Sequence, residues 1–165
     1  PVWILGSSLF GAQLAAALGL PYAFASHFAP DALDQALAIY RERFAPSEKY
    51  PKPHAMVAYN VIAADTDREA EKLSTSVLRQ FLNVRKGTPG KLQAPVDSLV
   101  LDPAEQAFVD HMLQCRAVGA PDTVRSKLDA FIQRTQPDEL IITGQIFDHA
   151  ARLHSYELLA QVMKD

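Results

Sequence analysis

The chain has 165 residues, 48% apolar and 21% charged, with 16 Lys+Arg against 19 Asp+Glu and a formal net charge of −3. These proportions suit one globular domain with a real core and exclude a disordered tail, a collagen-like chain and a disulfide-stapled mini-protein. There is no basic excess to neutralise nucleic-acid phosphates, no apolar run reaches the roughly 20 residues of a membrane span, and the single Cys115 has no internal partner, so no nucleic acid, no membrane and a reducing, cytoplasmic setting are expected.

The chain opens at Pro1 directly on an apolar strand pattern, Val2–Leu5, which suggests a fragment or a cut product. Gly6-Ser7-Ser8 makes the turn. Leu9–Leu18 reads as a helix with Phe10, Leu14, Ala17 and Leu18 on one face, stopped by Gly19. Pro21 leads into a second strand, Tyr22–Ser26. Strand, small-residue turn, helix, glycine and strand together form a βαβ signature, which implies a parallel sheet with right-handed crossovers.

The alternation continues. Pro30-Asp31 opens a helix with Leu33, Leu37, Tyr40 and Phe44 on one stripe. After a proline-broken loop comes Ala55–Ala63, a strand apolar on both faces as a parallel sheet requires. Thr66-Asp67-Arg68-Glu69 reads as a capping box before a helix with Leu73, Val77 and Phe81 inward. Residues 86–101 read as a loop. Asp102-Pro103-Ala104-Glu105 starts another helix with Pro at N1, and Cys115 is placed mid-helix and buried. Gly119-Ala120-Pro121 starts a helix carrying Val124, Leu128, Phe131 and Ile132. Glu139–Thr143 is the fourth strand, and Phe147–Met163 the closing helix with Ala151, Leu158, Leu159 and Val162 inward. Four strands, each followed by helix, make either a small open sheet or half of a (β/α)8 barrel, since a whole barrel needs roughly 250 residues.

Few residues carry chemistry. Gly6, Ser7 and Ser8 sit where a parallel strand hands over to a helix. Outward-pointing N–H groups and hydroxyls there suit a phosphate, and a ligand-free Ser N-cap suits the same pattern. Ser26-His27 closes the second strand, on the end where parallel folds bind ligands; His27 either meets a ligand or caps a loop. Asn60, inside an apolar strand, needs a partner, with a structural one favoured. Asp148 reads as the N-cap of the last helix, with His149 and Arg152 sharing a face, and His154 and Ser155 following. His27, His54, His111, His149 and His154 show no zinc-like spacing, so no metal is expected.

The ordered strings Val2-Trp3-Ile4-Leu5-Gly6-Ser7-Ser8, Gly19-Leu20-Pro21-Tyr22-Ala23-Phe24-Ala25-Ser26-His27-Phe28, Gly119-Ala120-Pro121-Asp122-Thr123-Val124 and Leu140-Ile141-Ile142-Thr143 with Asp148-His149-Ala150-Ala151-Arg152 resemble the second half of bacterial-luciferase-like flavin-dependent monooxygenases. The resemblance covers the whole chain. It implies the C-terminal half of a TIM barrel, strands five to eight, as one half-barrel spanning 1–165 with the N-terminal half absent. It implies FMN, reduced by NAD(P)H or a partner reductase and reacting with oxygen, with a deazaflavin as the variant seen among relatives. Gly6, Ser7 and Ser8 would hold the flavin phosphate, and Ser26 and His27 would face the flavin or substrate pocket. The excursion between the third strand and Pro121 would include a mobile segment near the active site. Ala120 departs from the Ser or Thr that relatives often place before Pro, which leaves that helix without a hydroxyl cap. The fragment is expected to be inactive and to pair with the missing half or self-associate through its edge strands. A non-catalytic flavin- or phosphate-ligand-binding module stays open beside the enzyme.

Overall fold

The computed structural model describes residues 1–164. In chain order the elements are β1 (Ile4–Gly6), α1 (Leu9–Leu18), β2 (Tyr22–Phe24), α2 (Leu33–Arg43), β3 (Ala55–Ala63), α3 (Asp67–Arg85), α4 (Pro103–Met112), β4 (Arg116–Gly119), α5 (Pro121–Thr135), β5 (Glu139–Thr143) and α6 (His149–Val162). They fall into two compact units, residues 1–59 with 131–142 and residues 60–130 with 143–164. The fold is α/β, a parallel sheet with flanking helices.

In the first unit β1 pairs with β2 and β2 with the start of β3, all parallel, in the register Ile4↔Tyr22↔Ala55 and Gly6↔Phe24↔Val57. The two sheet faces are unequal. Tyr22, Phe24, Ala55 and Val57 are buried, whereas the row Leu5↔Ala23↔Met56 on the other face stays partly open, with Leu5 73% exposed. Tyr22 packs on Tyr40 of α2 at 5.3 Å between ring centroids, and Tyr40 Oη accepts the His54 N–H at 3.0 Å. These bonds satisfy polar groups in an otherwise apolar layer.

α1 turns its small residues to the sheet. Its buried residues are Gly11, Ala12, Ala15 and Ala16, whereas Phe10, Leu14 and Leu18 are 71%, 37% and 55% exposed and Ala17 is also exposed. The small face wins because β1 approaches closely: a Cβ on Gly6 would sit 3.3 Å from the Gly11 Cα, and one on Gly11 the same distance from Gly6. The larger side chains do not fit that gap. α2 follows its predicted stripe, with Leu33, Leu37 and Tyr40 buried.

In the second unit the end of β3 pairs in parallel with β4, in the register Asn60↔Arg116 to Ala63↔Gly119. This fifth strand is a correction, since the reading above has only four. Four residues beginning with Arg carry too little alternation to be read as a strand. Cys115 accordingly lies just before β4 rather than inside a helix, although it is buried as expected. Ile62, Val77 and Ile146 form a core with Leu73, Phe81, Val118 and Ala151 packed against it.

Caps appear where local sequence asked for them. Thr66 Oγ1 accepts from Glu69 N–H, Asp102 and Glu105 complete a capping box with Pro103 at N1, and Asp148 accepts from Ala151 N–H. The loop 86–101 lies along α3. Val96 N–H donates to Thr75 Oγ1 at 2.9 Å, Arg79 and Gln80 donate to the carbonyls of Ala94 and Gly90, and Lys72 pairs with Asp97 at 2.6 Å. Among the described residues no helix is long and apolar enough to cross a membrane.

Candidate functional site: the ends of the parallel strands

At the end of β1, Gly6 lets the first turn of α1 settle onto the strand. Ser7 and Ser8 are exposed there. Ser8 is the N-cap residue, with extended backbone at φ −144° and ψ 168°, yet its side chain makes no capping hydrogen bond. Its carbonyl instead receives Tyr22 Oη at 3.3 Å, and burial pushes that phenol up to about 12. The first turn of α1 holds no acidic residue. Uncapped N–H groups, an uncommitted hydroxyl in the capping position and the positive end of the helix dipole make a place for an anion.

At the end of β2, Ser26 is fully buried and its Oγ donates to the Ala58 carbonyl. That bond fixes the strand end carrying His27. The imidazole of His27 is half-buried and stacks edge-on against Phe28 at 4.7 Å, and burial lowers its pKa, favouring the neutral ring.

The second unit holds the other strand ends. Thr143 Oγ1 donates to Asn60 Oδ1 at 2.6 Å, the structural partner expected for an asparagine within β3. Three consecutive residues of α6 then fasten strand ends. His154 Nε2 meets Asp65 Oδ1 at 2.8 Å, Ser155 Oγ accepts the Ala63 N–H at 2.9 Å, and Tyr156 Oη accepts the Gly144 N–H at 3.0 Å. Asp65 foremost, and Glu157 at 3.8 Å from Nδ1, raise the His154 pKa, which favours the charged form of the ring. Arg152 donates to His149 Nδ1 at 2.8 Å, across the shared face the spacing implied.

The missing hydroxyl at Ala120 is replaced from elsewhere. Asp67, at the start of α3, accepts the Ala120 N–H at 2.7 Å and so caps α5 from outside it. That bond, with Thr123 adding a second, holds the Asp67 carboxyl below its ordinary value. Gly119 is required here: its φ is +153°, and a Cβ would lie 2.5 Å from Asp67 Oδ1. Neither the Asp67 cap nor the Ser155 bond has a local sequence signal, because each joins segments far apart in the chain. No group of three or more His, Cys, Asp or Glu able to hold a metal ion occurs among the described residues.

A parallel sheet with flanking helices and polar groups gathered at strand ends is the plan of α/β proteins that bind ligands at the carboxyl ends of their strands. Residues 1–139 match the model of the luciferase-like monooxygenases, and the chain belongs to that family. It is 50% identical over 167 residues to a "Luciferase-like monooxygenase" of Escherichia coli K12, covering 100% of this chain and 50% of that protein. Among solved structures it resembles apo-MsnO8, with a TM-score of 0.86 and 30% identity over 98% of this chain and 50% of that one. Two more distant structures share the fold alone. One is the oxygenating constituent of 3,6-diketocamphane monooxygenase from Pseudomonas putida, solved in complex with FMN (TM-score 0.61, 22% identity, 97% of this chain and 46% of that one). The other is the coenzyme F420-dependent tetrahydromethanopterin reductase of Methanopyrus kandleri (TM-score 0.63, 13% identity, 98% and 49%). The chain thus spans about half the length of the relatives it matches, as half of a luciferase-like TIM barrel would.

Proposed function

We propose that this chain is the C-terminal half of a flavin-dependent monooxygenase barrel, strands five to eight, and that its first turn holds the phosphate of FMN. One observation carries the reading: Ser8 occupies the N-cap of α1 without capping it. A serine serving only its helix would spend its hydroxyl on the N2 or N3 amide. Here that hydroxyl and the first-turn amides remain for an anion, and Ser7 adds a second donor beside them. Gly6 keeps the approach open. Ser26 holds the end of β2 in place, and His27, neutral near pH 7, lines the flavin or substrate pocket.

Bound FMN, reduced by NAD(P)H or a partner reductase, would supply the electrons for oxygen chemistry; a deazaflavin fits the same phosphate seat, since the seat reads only the anion. This chain's own residues bind the phosphate, orient the cofactor and help exclude water. The 165 residues alone do not turn over substrate, because the other strands of the barrel complete the pocket. They work in the cytoplasm, paired with another half-barrel or self-associated through the edge strands β1 and β5.

A titration against FMN, riboflavin and inorganic phosphate tests this. FMN is expected to bind at least tenfold more tightly than riboflavin, which lacks the phosphate, and Ser7→Ala with Ser8→Ala to remove most of that preference. Equal affinity for FMN and riboflavin, or a double variant that binds FMN like the parent, would overturn the reading. FMN binding with no oxygen consumption when the barrel is completed would favour a flavin-binding module without catalysis.

A further inference from the structure

We propose that the cleft at the amino ends of the strands in the first unit binds a small planar aromatic carboxylate, its ring against Trp3 and Tyr50 and its anion on Lys52. The cleft lies at the opposite end of the same strands from Gly6, Ser7, Ser8 and His27, and it stands whether or not the first turn of α1 holds FMN. Trp3, Pro21, His54 and Asp138 immediately precede β1, β2, β3 and β5, and with residues 50–53 they line a cavity of about 420 Å³. Small-molecule sites span roughly 300–1,000 Å³ and combine aromatic and apolar walls with a few polar groups, as this one does. The amino-end face of a β/α array ordinarily serves stability alone, so an open cleft there needs its own explanation.

The walls are held in place from behind. Tyr40 Oη accepts the His54 N–H at 3.0 Å and lies 3.0 Å from the Leu20 carbonyl oxygen, which pins the entries to β2 and β3. Ser47 closes the turn that carries Tyr50: its N–H donates to the Tyr50 carbonyl at 3.0 Å, and its Oγ accepts the Tyr50 N–H at 3.1 Å. Pro51 and Pro53 fix the backbone on either side of Lys52. Trp3 is half-buried, with the His54 ring edge-on at 5.5 Å. Tyr50 Oη is buried without a hydrogen-bond partner among the described residues, and a buried hydroxyl left over calls for a partner from outside the chain.

The charges select the sign of the ligand. Both carboxylates beside the cleft are engaged: Asp138 accepts the Ala55 N–H at 2.7 Å, and Glu139 meets His54 Nε2 at 2.6 Å. The exposed ammonium of Lys52 has no ion pair or hydrogen bond among the described residues, and Lys49 Nζ stands 5.4 Å from the centroid of the Tyr50 ring. Cations beside an aromatic wall favour an anion carried on a ring. A single ammonium is a point charge that matches a carboxylate, whereas a phosphate asks for several donors.

The test reads the fluorescence of Trp3, the one tryptophan of the 165 residues. Saturable quenching by para-nitrobenzoate is expected, with para-nitrobenzamide, its uncharged counterpart, binding about fivefold more weakly. Lys52→Gln, at an exposed position, should erase that difference, while Ser7→Ala with Ser8→Ala leaves it intact. Quenching that rises linearly without saturation, equal affinity for the two probes, or a Lys52→Gln chain that binds like the parent overturns the proposal. Displacement of the probe by cyclohexanecarboxylate as readily as by benzoate removes the aromatic requirement and overturns the ligand class. Joined to the rest of its barrel the chain should keep the site, and binding that vanishes there marks an open seam instead. The two sites are read apart: nitrobenzoate binding lost in the Ser7 and Ser8 double variant would place the probe in the flavin seat, whereas FMN binding indifferent to those serines defeats the flavin assignment and leaves this cleft standing.

Discussion

Ser155, in the second turn of α6, accepts the backbone N–H of Ala63 on its Oγ at 2.9 Å across 92 residues of sequence, with both groups buried. Ala63 ends β3, and that amide has left the strand ladder's easy partners behind. The neighbours on the helix, His154 and Tyr156, take the groups just beyond β3 and β5. One helical turn therefore shapes two strand ends at once.

Ser155→Ala removes the acceptor and leaves a buried amide unpaired. Stability should fall by about 1–3 kcal/mol in urea unfolding. A loss below ~0.5 kcal/mol would show that another group accepts the Ala63 proton.

The two hydroxyl N-caps should behave oppositely. Thr66 accepts from Glu69 N–H at 3.2 Å, so Thr66→Ala should cost ~1 kcal/mol. Ser8 makes no such bond, so Ser8→Ala should leave stability within ~0.3 kcal/mol of the parent while weakening FMN binding. A stability loss for Ser8→Ala equal to that for Thr66→Ala would return Ser8 to a purely structural role.

Gly19 ends α1 at φ +60°, and a Cβ there would collide with the Ala45 carbonyl oxygen. Gly19→Ala meets both the left-handed penalty and the clash. The expected loss is ~2 kcal/mol or more by thermal or urea unfolding, and an unchanged midpoint would contradict the geometry.

Asp67 and His154 give pH dependence of opposite sign. The folded state lowers the Asp67 pKa through the Ala120 N–H, so its contribution is present above the ordinary carboxylate range and is lost as pH falls through the folded value. Asp67→Asn should therefore be less stable than the parent near pH 7 and converge with it in acid. The folded state raises the His154 pKa through Asp65, so that contribution is complete below about 6.5 and fades as pH rises through the folded value. An NMR titration placing His154 at or below the ordinary histidine value would refute the pair.

Helix caps and long apolar stretches were legible because their physics is local. Thr66, Asp102 and Asp148 each bond an amide two or three residues on, and β3 is a run of nine residues, eight of them apolar-buried or partly so. The stripe on α1 was legible as a stripe and not as a direction. Periodicity says which residues share a face, while the approach of Gly6 to Gly11 decides which face turns to the sheet. β4 escaped because four residues gain strand character only from β3 beside them. The candidate phosphate seat was visible as Gly6-Ser7-Ser8, but whether Ser8 spends its hydroxyl on its own helix was a matter of geometry.

The amino-acid order by itself determined the alternation of strand and helix, the parallel α/β class, the starts of most helices and the resemblance to luciferase-like monooxygenases, because propensity, capping and apolar period act within a few residues. Tertiary structure alone decided that Asp67 caps a helix 53 residues away, that Ser155 holds Ala63, and that the large side chains of α1 face outward. Those outcomes depend on distances between segments remote in sequence, and only the packed chain sets such distances.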